Sequence, residues 1–246
     1  MVITIIILVV LLAFVIGKRS ELLAFAGKRK YSKTRDVEKA LKWFAVAHRV
    51  GKLGTESLRY YGWLLMRGGQ FDFARSILNL ASMSAKKPAA KKRIKALLAV
   101  AEWKSGDLDL AIEMSEEVIS DFKDTVIYEN LGLFYNLKGD GEKALEFNKE
   151  AFDYNSDSLG ILENLAKAYM LCGNVEKAME LYEELLEKEP YFPDPYYSYG
   201  QILVDKGEYE RGIELIEKAL EKNYSCLSVL QKADVEKILE EAKKKI

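Results

Sequence analysis

The sequence predicts an all-α protein, an α-solenoid of stacked antiparallel helix pairs preceded by one N-terminal transmembrane helix. Three observations lead to this prediction. A short motif recurs at a nearly constant spacing, an uncharged apolar run opens the chain, and only 4 of the 246 residues are prolines. A fixed period of this length is typical of stacked supersecondary units, each of which buries the apolar face of its neighbour.

The recurring motif combines the end of one helix with the start of the next. In YNLKGDGEKALEFNKEAF, Gly139 ends a helical pattern, Asp140 follows it, and Ala144 comes five residues after Gly139. Glycine can take the left-handed conformation that closes a helix, and an acid is favoured where the next helix begins. A small residue then lets two antiparallel helices cross closely. The small residue recurs at Ala40, Ala74, Ala111, Ala144, Ala178 and Gly212, at intervals of 34, 37, 33, 34 and 34 residues.

Each period holds two amphipathic helical patterns and resembles the tetratricopeptide repeat, whose pattern is W-x2-LG-x2-Y…A-x3-F…P. The resemblance spans about residues 20–246, and it implies a superhelix whose first helices line a concave, peptide-binding side. In residues 125–158, Asn148 replaces the aromatic and Ser156 the proline. The best copy, residues 159–192, carries Leu162, Leu165, Ala166, Tyr169, Ala178, Tyr182 and Pro190.

The period divides the chain into segments. The first repeat is degenerate, because it keeps only a good second helix and has Arg35 where the others have glycine. Pro88 interrupts the helical pattern, so the basic stretch 84–95 is predicted to be a loop or hinge. The segments are an anchor (1–17), a basic juxtamembrane segment with the degenerate repeat (18–54), repeats at 55–88, 125–158, 159–192 and 193–226, a basic loop with a weak repeat (89–124), and a C-terminal capping helix (227–246).

The N-terminal run MVITIIILVVLLAFVIG is predicted to span a membrane. It has no charged side chain, and as a helix it would be about 25 Å long, near the short limit for a bilayer. Residues 1–95 carry 20 Lys+Arg and 5 Asp+Glu, whereas the rest carry 17 and 33. Because basic residues follow the run, the positive-inside rule places the repeats in the cytoplasm of a single-pass cell-membrane protein. The flanking basic residues are Lys18, Arg19, Lys28, Arg29 and Lys30.

Two alternatives concern this end of the chain. AFAG at residues 24–27 resembles a signal-peptide cleavage site, although no basic residue precedes the apolar run. Cleavage after Ala26, or an outward-facing anchor, would give an exported repeat protein that assists envelope protein assembly. The basic GKRK stretch at 27–30 could also contact nucleic acid, but beside an apolar run it is explained more simply as an orientation signal.

No arrangement of residues indicates catalysis, a cofactor or a metal site. The chain has one histidine, His48, and the cysteines Cys172 and Cys226 lie far apart without a CxxC partner. Phosphate-loop, dinucleotide-binding and HExxH motifs are missing from the sequence. We therefore expect a non-enzymatic protein that binds a protein or peptide partner, without nucleic acid. Homo-oligomers through an exposed end of the solenoid are possible.

The predicted binding residues lie at the fifth, sixth, ninth and twelfth positions of the first helices. Aromatic and methionine side chains there are typical anchors for a bound peptide, or else they pack between repeats. The resemblance suggests that Asn130 and Asn164 bond a ligand backbone, but Glu129 and Glu163 make a clamp for a terminal carboxylate doubtful. A basic or apolar ligand fits the acidic half better. The candidates are Arg59, Trp63, Met66, Trp103, Asn130, Leu133, Asn164, Lys167, Met170, Tyr197 and Gln201.

Overall fold

The computed structural model describes the backbone of residues 2–245 and the side chains of residues 16–245. Regular structure within that range is α-helical, which confirms the all-α prediction. The chain forms two compact units, residues 1–107 and residues 108–246, called here the first and second units. The first unit contains α1 (Val2–Thr34), α2 (Val37–Val50), α3 (Thr55–Arg67), α4 (Phe71–Ser84) and α5 (Pro88–Lys104). The second contains α6 (Leu108–Ile119), α7 (Thr125–Lys138), α8 (Gly141–Tyr154), α9 (Leu159–Leu171), α10 (Val175–Glu187), α11 (Asp194–Asp205), α12 (Tyr209–Leu220) and α13 (Lys232–Lys243).

The degenerate first repeat has a first helix after all, supplied by the C-terminal part of α1. Ala24 and Tyr31 are buried on the α1 face that packs against α2. A Cβ atom added to Gly27 would lie 2.9 Å from Phe44 Cδ2, so the glycine allows close contact between the two helices. Glu21 also joins α1 to α3, because its carboxylate accepts hydrogen bonds from the Gly54 amide and the Ser57 hydroxyl. The prediction that only the second helix is kept is corrected accordingly.

The basic residues predicted to flank a membrane all lie on α1. Arg19 donates a hydrogen bond to the Val50 carbonyl at 3.0 Å, and Lys28 Nζ lies 5.2 Å from the centre of the Tyr60 ring. The proposed anchor, residues 1–17, falls almost entirely outside the described side chains. Over the part of the chain that is described, no helix is both long enough and apolar enough to cross a bilayer. The remaining predicted residues are Lys18 and Arg29, which are exposed, and Lys30, which is half-buried.

The basic stretch around Pro88 is mostly helix, so the loop prediction was wrong for residues 88–95. Pro88 is the first residue of α5. Proline is well tolerated there because a helix leaves its first amide groups unpaired in any case. The connection is thereby reduced to the three residues between α4 and α5. Lys91, Lys92, Arg93 and Lys95 are helical residues.

The turns between paired helices follow the predicted chemistry. Gly139 has φ of +82°, in the left-handed region, and the Asp140 carboxylate accepts a hydrogen bond from the Lys143 amide as the N-cap of α8. Arg35, which replaces the glycine in the first repeat, also has a positive φ of 54°. A residue with a Cβ atom pays about 1 kcal/mol for this conformation. The motif therefore keeps its backbone geometry where its glycine is lost. The same left-handed geometry occurs at Gly69, Gly106, Gly173 and Gly207.

The second unit is a series of helix pairs closed by α13. The side chains of Val235, Leu239 and Ala242 are buried where α13 packs on α12. Most of its deep tyrosines are paired with glutamates. The hydroxyl groups of Tyr128, Tyr135 and Tyr199 donate hydrogen bonds to Glu150, Glu116 and Glu183, respectively. These three tyrosines are thus buried without losing a polar partner for the hydroxyl group.

Candidate functional site

The candidate site lies on the first helices of the second unit, α7, α9 and α11. The 34-residue period places equivalent residues at matching positions of these helices, as with Glu129 on α7 and Glu163 on α9. Some of these side chains link the helices to one another, and others remain at the surface. The distinction decides which of them can contact a partner.

Asn164 belongs to the linking group. It is 3% exposed, and its Nδ2 donates a hydrogen bond to the Glu129 carbonyl at 2.8 Å. Asn136 Nδ2 in turn donates to the Asn164 carbonyl at 2.9 Å, so both amides fasten α9 to α7. Asn148, the residue found in place of the repeat's usual aromatic, donates to Asn136 Oδ1 at 3.4 Å. We therefore remove Asn164 from the candidate binding surface, because its side chain is occupied inside the unit.

Replacing Asn164 with alanine should destabilise the second unit by about 1–2 kcal/mol, because a buried hydrogen bond and packing volume are lost. Asn130→Ala is the matched control. Asn130 occupies the same repeat position one period earlier and is only partly buried, so its loss should cost under about 0.5 kcal/mol. Urea unfolding followed by far-UV circular dichroism measures both. Equal losses in the two variants would contradict the linking role of Asn164.

In the first unit, the predicted binding residues are largely engaged in internal contacts. Met66 is 1% exposed, so it belongs to the core and is removed from the binding surface. The half-buried Trp63 ring meets Tyr31 edge-on at 5.4 Å, with the Arg67 guanidinium 5.4 Å from its centre. Arg59 pairs with Glu56 at 2.9 Å, and Lys104 Nζ lies 4.1 Å from the centre of the half-buried Trp103 ring. Packing within the first unit is therefore sufficient to explain why Met66 and Trp63 are apolar, without a bound partner.

In the second unit, more of the predicted residues stay accessible. Lys167 is exposed, and Asn130, Leu133 and Gln201 are partly exposed. Met170 and Tyr197 are also partly exposed, although both pack against the main hydrophobic core. Asn130, Leu133, Lys167 and Gln201 are therefore the predicted residues best placed to meet a partner.

The structure brings the Asp194 charge near enough to Glu163 to act on its carboxyl group, which the sequence analysis did not single out. Glu163 retains limited exposure, and its surroundings raise the pKa of its carboxyl group to about 8. Burial is the main cause, the nearby Asp194 charge adds to it, and Lys167 one turn away opposes it. From the sequence, Glu163 served only as a reason to doubt that the first helices bind a terminal carboxylate. The sequence does contain a signal for this pair. Glu163 is the fifth residue of one repeat and Asp194, 31 residues later, is the second residue of the next.

Comparisons with known proteins agree with the helix pairs described above. A family model for the tetratricopeptide repeat matches residues 137–190 and 173–233. A tetratricopeptide repeat protein from Parabacteroides merdae ATCC 43184 gives a TM-score of 0.75 at 14% identity, covering 92% of this chain and 85% of that one. A thermophilic tetratricopeptide repeat protein of Thermus thermophilus gives 0.63 at 18%, covering 78% and 100%.

A third similar structure is part of a larger assembly. A chain of the APC/C hetero-tetramer Cut9–Hcn1 gives a TM-score of 0.70 at 15% identity, covering 91% of this chain but only 42% of that one. No curated protein matches the sequence. At such low identities the solved structures establish the fold alone.

Proposed function

Since residues 137–233 match the tetratricopeptide repeat family and the chain has the fold of such repeats, we propose that it is a membrane-tethered scaffold or adaptor that binds a peptide or helix of a partner protein. The observation that carries the proposal is the set of side chains left accessible at periodic positions of successive first helices. Asn130, Leu133, Lys167 and Gln201 form this set. Amides donate and accept hydrogen bonds, and a leucine offers apolar area, which together suit an extended or helical peptide.

The similar Cut9–Hcn1 chain was solved within a hetero-tetramer, which supports protein binding as a use of this fold. Fold alone does not specify function, so the proposal depends mainly on the accessible side chains of the first helices. Any catalytic activity would then belong to the partner protein, and this chain would hold the partner in place. Tethering adds to this, because it raises the effective concentration of whatever is captured.

Site-specific photocrosslinking in cells tests partner binding. A benzophenone amino acid at Leu133 or Lys167 should capture a distinct protein band. The same group at the exposed Glu146 of α8 or Glu180 of α10 should not capture that band. The controls lie on second helices, so they sample the same protein away from the proposed surface. Identical bands from all four positions, or none from the first two, would refute the proposal.

The membrane tether is proposed from the apolar run at residues 1–17 and the residues that follow it. Ile16, within that run, and Leu22 and Phe25, which follow it on α1, are exposed to 53%, 47% and 64%. The adjacent exposed Lys18 and Arg29 suit anionic headgroups, at about 1 kcal/mol each. We propose that the repeats lie on the cytoplasmic side.

The exported alternative is less favoured, because cleavage after Ala26 would remove the buried Ala24 and part of the helix that covers α2. A C-terminal fusion separates the two orientations. We expect a fluorescent protein to be bright there and alkaline phosphatase to be inactive, with the full chain retained in carbonate-washed membranes. Active phosphatase would favour the exported or outward-facing arrangement instead.

A further inference from the structure

The first unit has one end at which α1 meets a connection between repeats. Arg19 of α1 donates a hydrogen bond to the Val50 carbonyl at 3.0 Å, and the Ser20 hydroxyl donates to the Lys52 carbonyl at 2.8 Å. The α2–α3 connection, residues 51–54, therefore lies beside the part of α1 that directly follows the apolar run.

The α4–α5 connection, residues 85–87, lies at the same end. Thr55 begins α3 directly after the α2–α3 connection, and its hydroxyl group lies 2.9 Å from the hydroxyl group of Ser84, the last residue of α4. Two connections that are far apart in sequence thus lie close to the point at which α1 leaves the apolar run.

This end of the first unit is rich in exposed basic side chains. They come from α1, from both connections and from the adjoining helix ends, and together they are called here the basic end: Lys18, Arg49, Lys52, Lys86, Lys87 and Lys91. None of these side chains pairs with an acid among the described residues. Met83 lies beside them at the end of α4 and is 84% exposed. Cations around an exposed apolar side chain suit the interface of an anionic membrane.

The repeat fold itself does not require these basic residues. The position of Lys87 is occupied by Asp124 and Asp157 in the next two repeats, and the position of Arg49 by Asp153 in the repeat that contains α7 and α8. The corresponding connections of the second unit therefore carry acids and still join their helices. Packing accordingly does not explain the positive charge at the basic end.

We propose that the basic end of the first unit lies on an anionic bilayer surface and binds lipid phosphate groups through its lysine and arginine side chains. This inference rests on the membrane tether proposed above, and it adds a second contact made by residues that follow the tether by 30 or more positions. Each of these cations is attracted to anionic headgroups, whereas an apolar run alone gives no preference for them. Nucleic acid carries the same phosphate charge but offers no apolar phase for Met83, which favours lipid.

Fluorescence quenching by labelled lipids tests the inference on the full chain. The exposed cysteines are removed by Cys172→Ser and Cys226→Ser, and an NBD fluorophore is attached at Met83→Cys. The chain is reconstituted into vesicles of phosphatidylcholine, or of phosphatidylcholine and phosphatidylglycerol in equal parts, with a doxyl quencher near the headgroups. We expect phosphatidylglycerol to raise the quenching about twofold. The probe at Asp153→Cys, the same repeat position on α8, should show no rise, because acids lie around it.

Two triple variants then make the same change in charge at different places. The first carries Lys52→Glu, Lys86→Glu and Lys87→Glu at the basic end. The control carries Lys232→Glu, Lys237→Glu and Lys244→Glu, at exposed lysines on and directly after α13. The rise in quenching at residue 83 should be lost in the first variant and kept in the control. Circular dichroism shows whether each variant is folded.

Flotation of the full chain with phosphatidylcholine vesicles reports on the tether separately. A chain that floats with them but shows no rise in quenching with phosphatidylglycerol would overturn the basic-end contact and leave the tether intact. So would a rise that survives in the first triple variant. Charge reversal that weakens binding of a labelled single-stranded RNA, without changing the quenching, would make nucleic acid the ligand and overturn the lipid contact. A chain that floats with neither kind of vesicle would overturn the tether together with this inference.

Discussion

Gly200→Ala should destabilise the second unit by about 2 kcal/mol, the expected cost of overpacking where α11 and α12 cross. A Cβ atom at residue 200 would lie 2.8 Å from the Gly212 carbonyl oxygen and 2.7 Å from Ile216 Cγ1. The neighbour at Gly212 is backbone, so relief requires one helix to move away from the other. Gly212 is equally constrained, because its own Cβ atom would lie 2.8 Å from the Gly200 carbonyl. This expected loss already includes the gain in helix propensity from glycine to alanine, roughly 1 kcal/mol.

Gly160→Ala is the matched control, since it too places an alanine in a first helix of the same unit. The three atoms nearest to its Cβ atom all belong to the Glu129 side chain, the closest at 3.0 Å, and a side chain can shift where backbone cannot. We expect a change within about 0.5 kcal/mol. Urea unfolding followed by far-UV circular dichroism measures the loss of stability, and hydrogen exchange of α11 and α12 shows whether it occurs at their crossing. Tryptophan fluorescence does not, because Trp43, Trp63 and Trp103 all lie in the first unit. Similar losses in the two variants would contradict the close crossing.

The repeat architecture could be predicted because its rules are local. Turn glycines, cap residues and small residues at helix crossings recur at a fixed spacing, and the structure confirms them at Gly139, Asp140 and Ala144. The first helix of the first repeat was missed for a related reason. Gly27 contacts Phe44, 17 residues later, whereas Gly200 contacts Ile216, 16 residues later. One extra residue moved Gly27 out of register, so the fixed period placed Lys28 at the glycine position.

The candidate site was less predictable, because burial depends on neighbouring helices. Asn130 and Asn164 occupy the same repeat position, yet only Asn164 is buried and bonded to the helix before it. Likewise, Glu129 and Glu163 occupy the same repeat position, but their neighbours differ. The Glu129 carboxylate accepts a hydrogen bond from Ser158, whereas Glu163 is near the charge of a second acid, Asp194. The two glutamates differ because the residues at the start of the following repeat differ. Scanning pairs of positions across adjacent repeats would have found Glu163 and Asp194, whereas reading each repeat separately could not.

Glu163→Gln should abolish a fall in stability that the wild type shows as the pH rises from about 5 to 9. The folded-state pKa of Glu163 is raised to about 8 from an ordinary value of 4.5, because burial and the Asp194 charge disfavour the ionised carboxylate. Between these values the folded protein holds a proton that the unfolded chain has released. The stabilising effect of that bound proton is therefore complete below the ordinary pKa and is lost as the pH rises through about 8.

Glutamine carries no charge at any of these pH values, so the variant should become more stable than the wild type at pH 9. We expect a gain of roughly 2 to 5 kcal/mol, in which the upper value is the full pKa shift and the lower value allows for screening by solvent. Asp194, Lys167 and Tyr182 are the titratable groups that act on Glu163, and all three remain in the variant. Glu176→Gln, at an exposed glutamate of α10, controls for the removal of one acid. Urea midpoints at pH 5, 7 and 9 give the comparison. A variant that is less stable at pH 9 would mean that an unrecognised partner already satisfies the carboxylate. A stabilised variant would mean that the chain keeps an acid at residue 163 at a cost in stability.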